Sequence, residues 1–284
     1  MNWFPAPGKL NLFVHVLGRR ADGMHELQTV FRLVARGDRV GIQVRSDRDI
    51  RRHDPLPGVA AADDLCVRAA RLLQAESGTA QGADLALDKR LPIGGGMGGG
   101  SSDAATTLIV LNRLWGLDWP RLRLLELALR LGADVPFFVF GENAIGEGIG
   151  ERLRALALPA AWYLVLVPPA ALSTRAVFGD NALTRNAKRL KIPPFFPGLG
   201  GNDLEPVAVR RSPEIAAHLA WLRARRPQAR MTGSGACVFA EFASQAEAQG
   251  VLGELPGTMR GFVTRGLERH PLYELEPLGS RQVG

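Results

Sequence analysis

The sequence predicts an α+β fold in two domains, and three observations carry the prediction. Apolar stretches of strand period and of helix period are mixed along the chain, with hairpin signals among the helices instead of strict β-α alternation. A glycine-rich loop at residues 94–100 leads directly into an amphipathic helix. The 284 residues amount to roughly two domains at about 150 residues each. Pro159, after Leu158, punctuates the chain between a hairpin candidate and a buried strand. The expected division is an N-terminal α+β domain over residues 1–158 and a C-terminal α+β domain over 159–284.

The elements follow in order. Leu10 to Val16 reads as a strand, and Gly18 to Gly23 as a polar loop. Leu27 to Val34 and Arg39 to Val44 read as two further strands, and the charged, Pro-bearing stretch Arg45 to Gly58 as an exposed connection. Asp63 or Asp64 can cap a helix running to about Ala75, with Leu65, Ala69, Leu72 and Leu73 on one face. Ala83 to Leu87 is a strand. The helix after the glycine loop is expected from Ser102 to Trp115, with Gly116 at its stop. The next helix has Asp118 near its start, Pro120 in its first turn and Gly132 just past its end. Ala144 to Arg152 reads as a hairpin and Ala161 to Val167 as a buried strand. Ala176 to Thr184, Ser212 to Arg225 and Gln245 to Leu255 read as helices. Arg230 to Glu241 holds a tight glycine turn before a strand, and Gly261 to Arg265 is the last strand.

Composition narrows the function classes. Hydrophobic residues are 46% and charged residues 22%, which excludes wholesale disorder and permits a core without disulfide or metal staples. Cys66 and Cys237 are the only cysteines, which excludes a four-cysteine zinc site or a disulfide scaffold and fits a reducing compartment. No stretch approaches the roughly 20 apolar residues of a membrane span, and Met1 to Pro5 lacks the start of a secretory signal. A cytoplasmic protein without a membrane partner is expected. The balance of 35 basic against 28 acidic residues, +7, attracts nucleic acid or phosphorylated metabolites. No basic run is interleaved with aromatics, so a nucleic-acid partner is not expected.

The stretch Leu91-Pro92-Ile93-Gly94-Gly95-Gly96-Met97-Gly98-Gly99-Gly100-Ser101-Ser102-Asp103 carries the most chemistry. Without Cβ atoms, successive N–H groups can turn inward as an anion nest, and the helix that follows aims its free N–H groups at the same spot. This is a phosphate cradle. The dinucleotide fingerprint is formally met by Gly94, Gly96 and Gly99, but no second strand ends in an acidic residue at the required distance. A Walker loop needs Gly-Lys-[Ser/Thr], and a protein kinase needs His-Arg-Asp; both are missing.

Pro92 to Ala105 resembles the second motif of the galactokinase, homoserine, mevalonate and phosphomevalonate kinase superfamily. Pro5-Ala6-Pro7-Gly8-Lys9-Leu10-Asn11-Leu12 resembles its first motif, and Thr232-Gly233-Ser234-Gly235-Ala236-Cys237 its third. Arg20 to Leu27, Gly132 to Phe138 and Asn202 to Pro206 are similar to the branch that phosphorylates a cytidine-diphosphate-linked methylerythritol. The resemblance implies a two-domain α+β small-molecule kinase, its second domain ferredoxin-like and its active site between the domains. It further implies transfer of the γ-phosphoryl group of ATP, bound with Mg²⁺, to the 2-hydroxyl of that small molecule. Two other readings stay open: a sister kinase for homoserine or mevalonate, and a non-enzymatic RNA-binding or regulatory protein on the same scaffold.

Residue roles follow from that resemblance. Asp134, between the helix stop at Gly132 and Pro136, which keeps the helix from continuing, is the candidate base on a rigid corner. Lys9, one of four lysines, would orient Asp134 and offset charge on the phosphoryl oxygens. Lys89 and the loop from Pro92 through Ser102 would hold ATP, and Ser102 is the hydroxyl candidate for its magnesium; no fixed metal site is expected. Asn11, Met24, His25, Thr174, Phe178, Gly233, Ser234 and Gly235 would line the acceptor pocket, with Met24 where the family usually carries Tyr. Asp64 stands where related sequences often carry Asn, and Cys237 reads as packing.

Overall fold

The computed structural model describes residues 1–54, 60, 63–170, 172–192 and 200–273. The chain opens with a long antiparallel ribbon, β1 (Asn2–Arg19) against β2 (His25–Arg45), paired from Asn2↔Ile42 to Arg19↔His25. Both strands exceed their sequence expectation. β1 starts eight residues before Leu10, and the two strands expected between Leu27 and Val44 are one. Pro5 and Pro7 are tolerated because β1 pairs with β2 alone, leaving an edge that needs no donor. Ala35 and Arg36 are extra residues of β2 at the Pro7/Gly8 step, a bulge that carries the strand through the expected break.

β3 (Ile50–Arg52) lies parallel on β4 (Gly82–Asp88), so the expected exposed connection contains a strand; its residues 55–58 lie outside the described ones. The sheet order is β3-β4-β2-β5-β6, with β5 (Ala144–Gly148) and β6 (Arg152–Ala155) as the expected hairpin. Helix α1 (Leu65–Ser77) is capped by Asp64, whose carboxylate accepts from the N–H groups of Cys66 and Val67. Helix α2 (Gly99–Leu114) begins three residues before Ser102, inside the glycine run. Gly116 at φ +64° ends it as read. α3 (Arg121–Leu131) starts just after Pro120, and Asp118 sits in the preceding turn at φ +46°. α4 (Val135–Phe140) corrects the reading of Pro136, which occupies the first turn of a new helix, where a missing N–H costs nothing. The four helices bury one face of the sheet through Leu33, Ile42, Leu73, Leu85, Leu108, Phe137 and Phe138.

The second sheet holds β7 (Trp162–Leu166), β8 (Arg230–Met231), β9 (Val238–Phe242) and β10 (Gly261–Arg265) in the order β10-β7-β9-β8. With α5 (Thr174–Phe178), α6 (Glu205–Arg211) and α7 (Pro213–Arg223) between β7 and β8, and α8 (Gln245–Gly253) before β10, it has the ferredoxin-like succession. α5 is shorter than the expected Ala176 to Thr184. Arg185 draws the carbonyls of Phe178, Asp180 and Leu183 onto its guanidinium, and Asp180 turns the chain by accepting from the N–H of Ala182. α6 carries no sequence expectation; Asn202 and Pro206 set its start. The sheets meet through Leu10, Phe13, Val30 and Met97 on one side and Tyr163, Val165 and Phe239 on the other. After β10 the chain returns to the first sheet: the N–H of Leu267 donates to Leu33, and Leu272 enters the first core.

Candidate active site

Three segments far apart in sequence are laced together by bonds from backbone N–H groups. The N–H of Lys9 donates to the carbonyl of Met97 at 3.0 Å, joining β1 to the glycine loop. Ala236 and Cys237 donate to the carbonyls of Gly94 and Gly95 at 3.2 and 3.1 Å, joining the β8–β9 turn to the same loop. The N–H of Asn11 donates to Thr232 Oγ1 at 3.0 Å, closing the triangle. The loop's carbonyls are therefore spent on the scaffold. Ser102 is the first N–H to close a helical bond, onto Gly98, so those of Gly99, Gly100 and Ser101 form the open end of α2. Glycine is required where this packing is tight. At Gly96, φ is +75° and a Cβ would lie 2.3 Å from the Thr232 carbonyl oxygen; at Gly98, φ is +71° and it would meet the Phe138 ring at 2.9 Å.

A cavity of about 1280 Å³ lies along this junction, walled by β1, β2, the glycine loop, α5 and the β8–β9 turn. At its centre Lys9 Nζ stands 3.5 Å from Asp134 Oδ2. Lys9 is buried, donates to Asn11 Oδ1 and lies 5.6 Å from the centre of the Phe31 ring. The orientation of Asn11 is set one step further out: its amide donates to Thr29 Oγ1, which donates to the Phe13 carbonyl. Asp134 stands at the start of α4, where a carboxylate ordinarily caps the helix, yet its side chain makes no capping bond. Its oxygens are thus available to Lys9 and to a ligand.

At the glycine-loop end, Lys89 is clamped between the carboxylates of Asp38 and Asp103, the latter at 2.7 Å. Burial works against its charge, but Asp103 and Asp38 outweigh it and hold the ammonium above its usual range. Asp103 itself is pushed up to about 7, by burial first and then, against the pull of Lys89, by the neighbouring Asp38 carboxylate. Its Oδ1 is buried without a partner. Asp64 also lines this end; beyond capping α1 it pairs with Arg52 at 3.0 Å, which an Asn could not do as an ion. Ser102 departs from the expectation. It is fully buried and its hydroxyl donates to the Pro7 carbonyl at 2.7 Å, fastening α2 to β1, so Ser101 carries the hydroxyl on the cavity wall. The Met97 side chain is likewise buried in the core, while Ile93 is exposed on the rim.

At the other end, Met24, His25, Thr174, Phe178, Gly233, Ser234 and Gly235 all line the cavity. Thr174 and Ser234 share a hydroxyl hydrogen bond of 2.8 Å that ties α5 to the β8–β9 turn. The His25 and Phe178 rings are 5.0 Å apart, tilted by 37°. Burial, then Arg185 and Arg19, push the His25 imidazole below its usual range, which favours its neutral form. Among the described residues no group of three acidic, His or Cys side chains could hold a metal ion, and no helix is long and apolar enough to cross a membrane.

The chain was compared with known proteins. Residues 64–142 match the model of the GHMP kinases N terminal domain and residues 190–261 that of GHMP kinases C terminal. A relative in Nitrosospira multiformis, named 4-diphosphocytidyl-2-C-methyl-D-erythritol kinase, is 60% identical over 95% of this chain and 92% of its own. One of the same name in Thiobacillus denitrificans is 59% identical over 96% and 98%. The chain belongs to the 4-diphosphocytidyl-2-C-methyl-D-erythritol kinase family. A solved structure of a kinase of that name superposes with a TM-score of 0.80 at 32% identity, covering 94% of this chain and all of that one. The Methanococcus jannaschii mevalonate kinase, at 13% identity and a TM-score of 0.67, shares the fold.

Within this kinase family the motifs account for the cavity's centre and floor. They do not account for its supports. Thr29, which aims Asn11, looks like any strand threonine, and Asp38, which holds Lys89 and the N–H groups of Arg90 and Leu91, lies in the gap between two expected strands. Arg19 and Arg175 line the cavity with His25 and Phe178, exposed, and carry no local motif. Asn202, by contrast, stands in a quoted motif; its amide braces the β8–β9 turn by donating to the carbonyls of Met231 and Gly233.

Proposed function

We infer that this chain transfers the γ-phosphoryl group of ATP to the 2-hydroxyl of 4-diphosphocytidyl-2-C-methyl-D-erythritol. The observation that carries the reading is the Lys9–Asp134 pair, 3.5 Å apart, facing a cavity whose floor is a glycine loop ending in an open helix terminus. Phosphoryl transfer needs positioning, charge stabilisation and an acceptor for the hydroxyl proton. Asp134 takes that proton as the acceptor oxygen bonds to the γ-phosphorus and the bond to ADP breaks. Lys9, fixed by Asn11, orients the carboxylate and offsets charge on the transferring oxygens. The N–H groups of Gly99, Gly100 and Ser101 receive ATP phosphate, with Ser101 in the place expected for Ser102. Magnesium arrives with ATP. His25, Met24 and Phe178 take the cytosine, and Arg19 and Arg175 face the diphosphate. The functional division is at residues 158/159, with the nucleotide on the first domain. Two buried free cysteines support a cytoplasmic setting.

The test is MgATP-dependent ADP release with the cytidine compound, its uridine analogue, homoserine and mevalonate. Release with the cytidine compound alone, lost in Asp134→Asn, supports the reading. Release with homoserine or mevalonate instead overturns the substrate, and silence with ATP still bound overturns the activity.

A further inference from the structure

One side chain at the acceptor end touches both halves of the expected base site and belongs to no motif. Arg185 donates through Nε to His25 Nε2 at 3.1 Å, and through Nη2 to the carbonyls of Phe178 and Asp180, each at 2.9 Å. Its Nη1 donates to the Leu183 carbonyl at 3.1 Å. Four of its five N–H groups are thereby spent on protein atoms, so it has little left for a ligand. What it does is join the start of β2 to the segment after α5, across the cavity wall that both line.

The chemistry of the first bond is directional. A guanidinium only donates and does not lose its proton, so His25 Nε2 must be the accepting nitrogen. A neutral imidazole that accepts at Nε2 carries its proton on Nδ1. The only ring proton His25 can offer a ligand is therefore the one on Nδ1. We propose that Arg185 is a positioning residue that locks His25 as the Nδ1–H tautomer beside Phe178 and so makes the pocket prefer a pyrimidine with an unprotonated ring nitrogen, cytosine, over uracil. The ring nitrogen N3 of cytosine is an acceptor and meets an N–H; that of uracil carries a hydrogen and opposes it. Burial and the adjacent Arg185 and Arg19 charges both disfavour imidazolium, which keeps the tautomer meaningful. The carbonyl of Phe178, held by the same guanidinium, keeps its ring 5.0 Å from that of His25.

The proposal rests on the reading of this cavity as the cytidine acceptor's site, but its first test does not. The ¹⁵N shifts of His25 in the ligand-free protein, assigned by comparison with His25→Gln, report the tautomer directly. Nδ1–H is expected in the parent, a shift toward Nε2–H in Arg185→Met, and return of Nδ1–H in Arg185→Lys, which keeps one donor. The second readout is the ratio of kcat/KM for the cytidine compound over its uridine analogue. Loss of one oriented hydrogen bond predicts a fall of about tenfold in that ratio in Arg185→Met, mainly through KM of the cytidine compound. Nε2–H in the parent overturns the proposal, whatever the variants do. So does a tautomer or a selectivity ratio unmoved by Arg185→Met. If neither pyrimidine compound is phosphorylated, the proposed activity fails while the spectrum still decides whether Arg185 sets the tautomer.

Discussion

Replacing Asp134 by Asn separates chemistry from folding more cleanly than any other change at this site. The two side chains are near-isosteric, and the carboxylate makes no capping bond to α4, so the local backbone loses nothing. Its only ionic partner among the described residues is the buried Lys9 at 3.5 Å; the Asp134 side chain is itself 37% exposed, so water screens its side of the pair, and Lys9 keeps its bond to Asn11, which holds the stability cost to about 1 kcal/mol. What disappears is the proposed proton acceptor. General-base catalysis contributes typically about 10²- to 10⁴-fold, or roughly 3 to 5.5 kcal/mol on the barrier. Steady-state kinetics should show kcat lowered by that factor, KM for ATP within about threefold and a melting temperature within about 4 °C of the parent. Lys9→Met is the control: it removes a buried cation held by Asn11 and Phe31, and should lower both kcat and thermal stability. A loss of kcat under tenfold in Asp134→Asn would refute the assignment of the base. A loss of activity tracking a collapse in melting temperature would refute the claim that the corner is structurally independent.

Three further outcomes are expected. Gly96→Ala should weaken ATP binding at least about tenfold in calorimetric titration and destabilise the fold, because a Cβ at φ +75° lies 2.3 Å from the Thr232 carbonyl oxygen. Gly94→Ala, with equal backbone strain but open space, should be much milder, and equal effects would refute the docking argument. Asp103 titrates near 7 in the fold against an ordinary 3.8, so between about pH 4 and 7 the folded state keeps a proton the unfolded state has released. The stability it contributes therefore falls as pH rises through that window, and Asp103→Asn should flatten the decline in melting temperature from pH 5 to 8; identical slopes would refute this. Arg19→Gln and Arg175→Gln should each raise KM for the cytidine diphosphate acceptor at low salt, by a few-fold, with the gap closing at high salt. A KM that does not move at low salt would show that these arginines do not face the diphosphate.

Much of the site was legible because its chemistry is carried by residues that have few other reasons to occur together. A run of glycines before a helix announces a close backbone approach, and Lys9 and Asp134 stand inside motifs that name their surroundings. The local errors have local causes. Pro136 marks either the end of one helix or the first turn of the next, and only the packing of α4 chose between them. Ser101 and Ser102 are indistinguishable as letters; a helix turns successive side chains by about 100°, which sends one to the cavity and the other to the Pro7 carbonyl. The break expected in β2 is instead a bulge, Ala35 and Arg36 opposite the Pro7/Gly8 step of β1, a pairing nearly thirty residues away in sequence.

By itself the sequence determined the fold class and, through the resemblance of its motifs, the kinase branch, and it singled out the glycine loop, Lys9 and Asp134 as candidates, since each stands in a short stretch of contiguous residues. Only the tertiary structure decided how those residues are aimed. Thr29 orients Asn11, Asp38 and Asp103 occupy Lys89, Thr232 pins both β1 and the loop, and Arg185 grips His25 from 160 positions away. Each of these is a hydrogen bond between groups distant in the chain, and its strength depends on angle and distance that no local pattern of residues encodes.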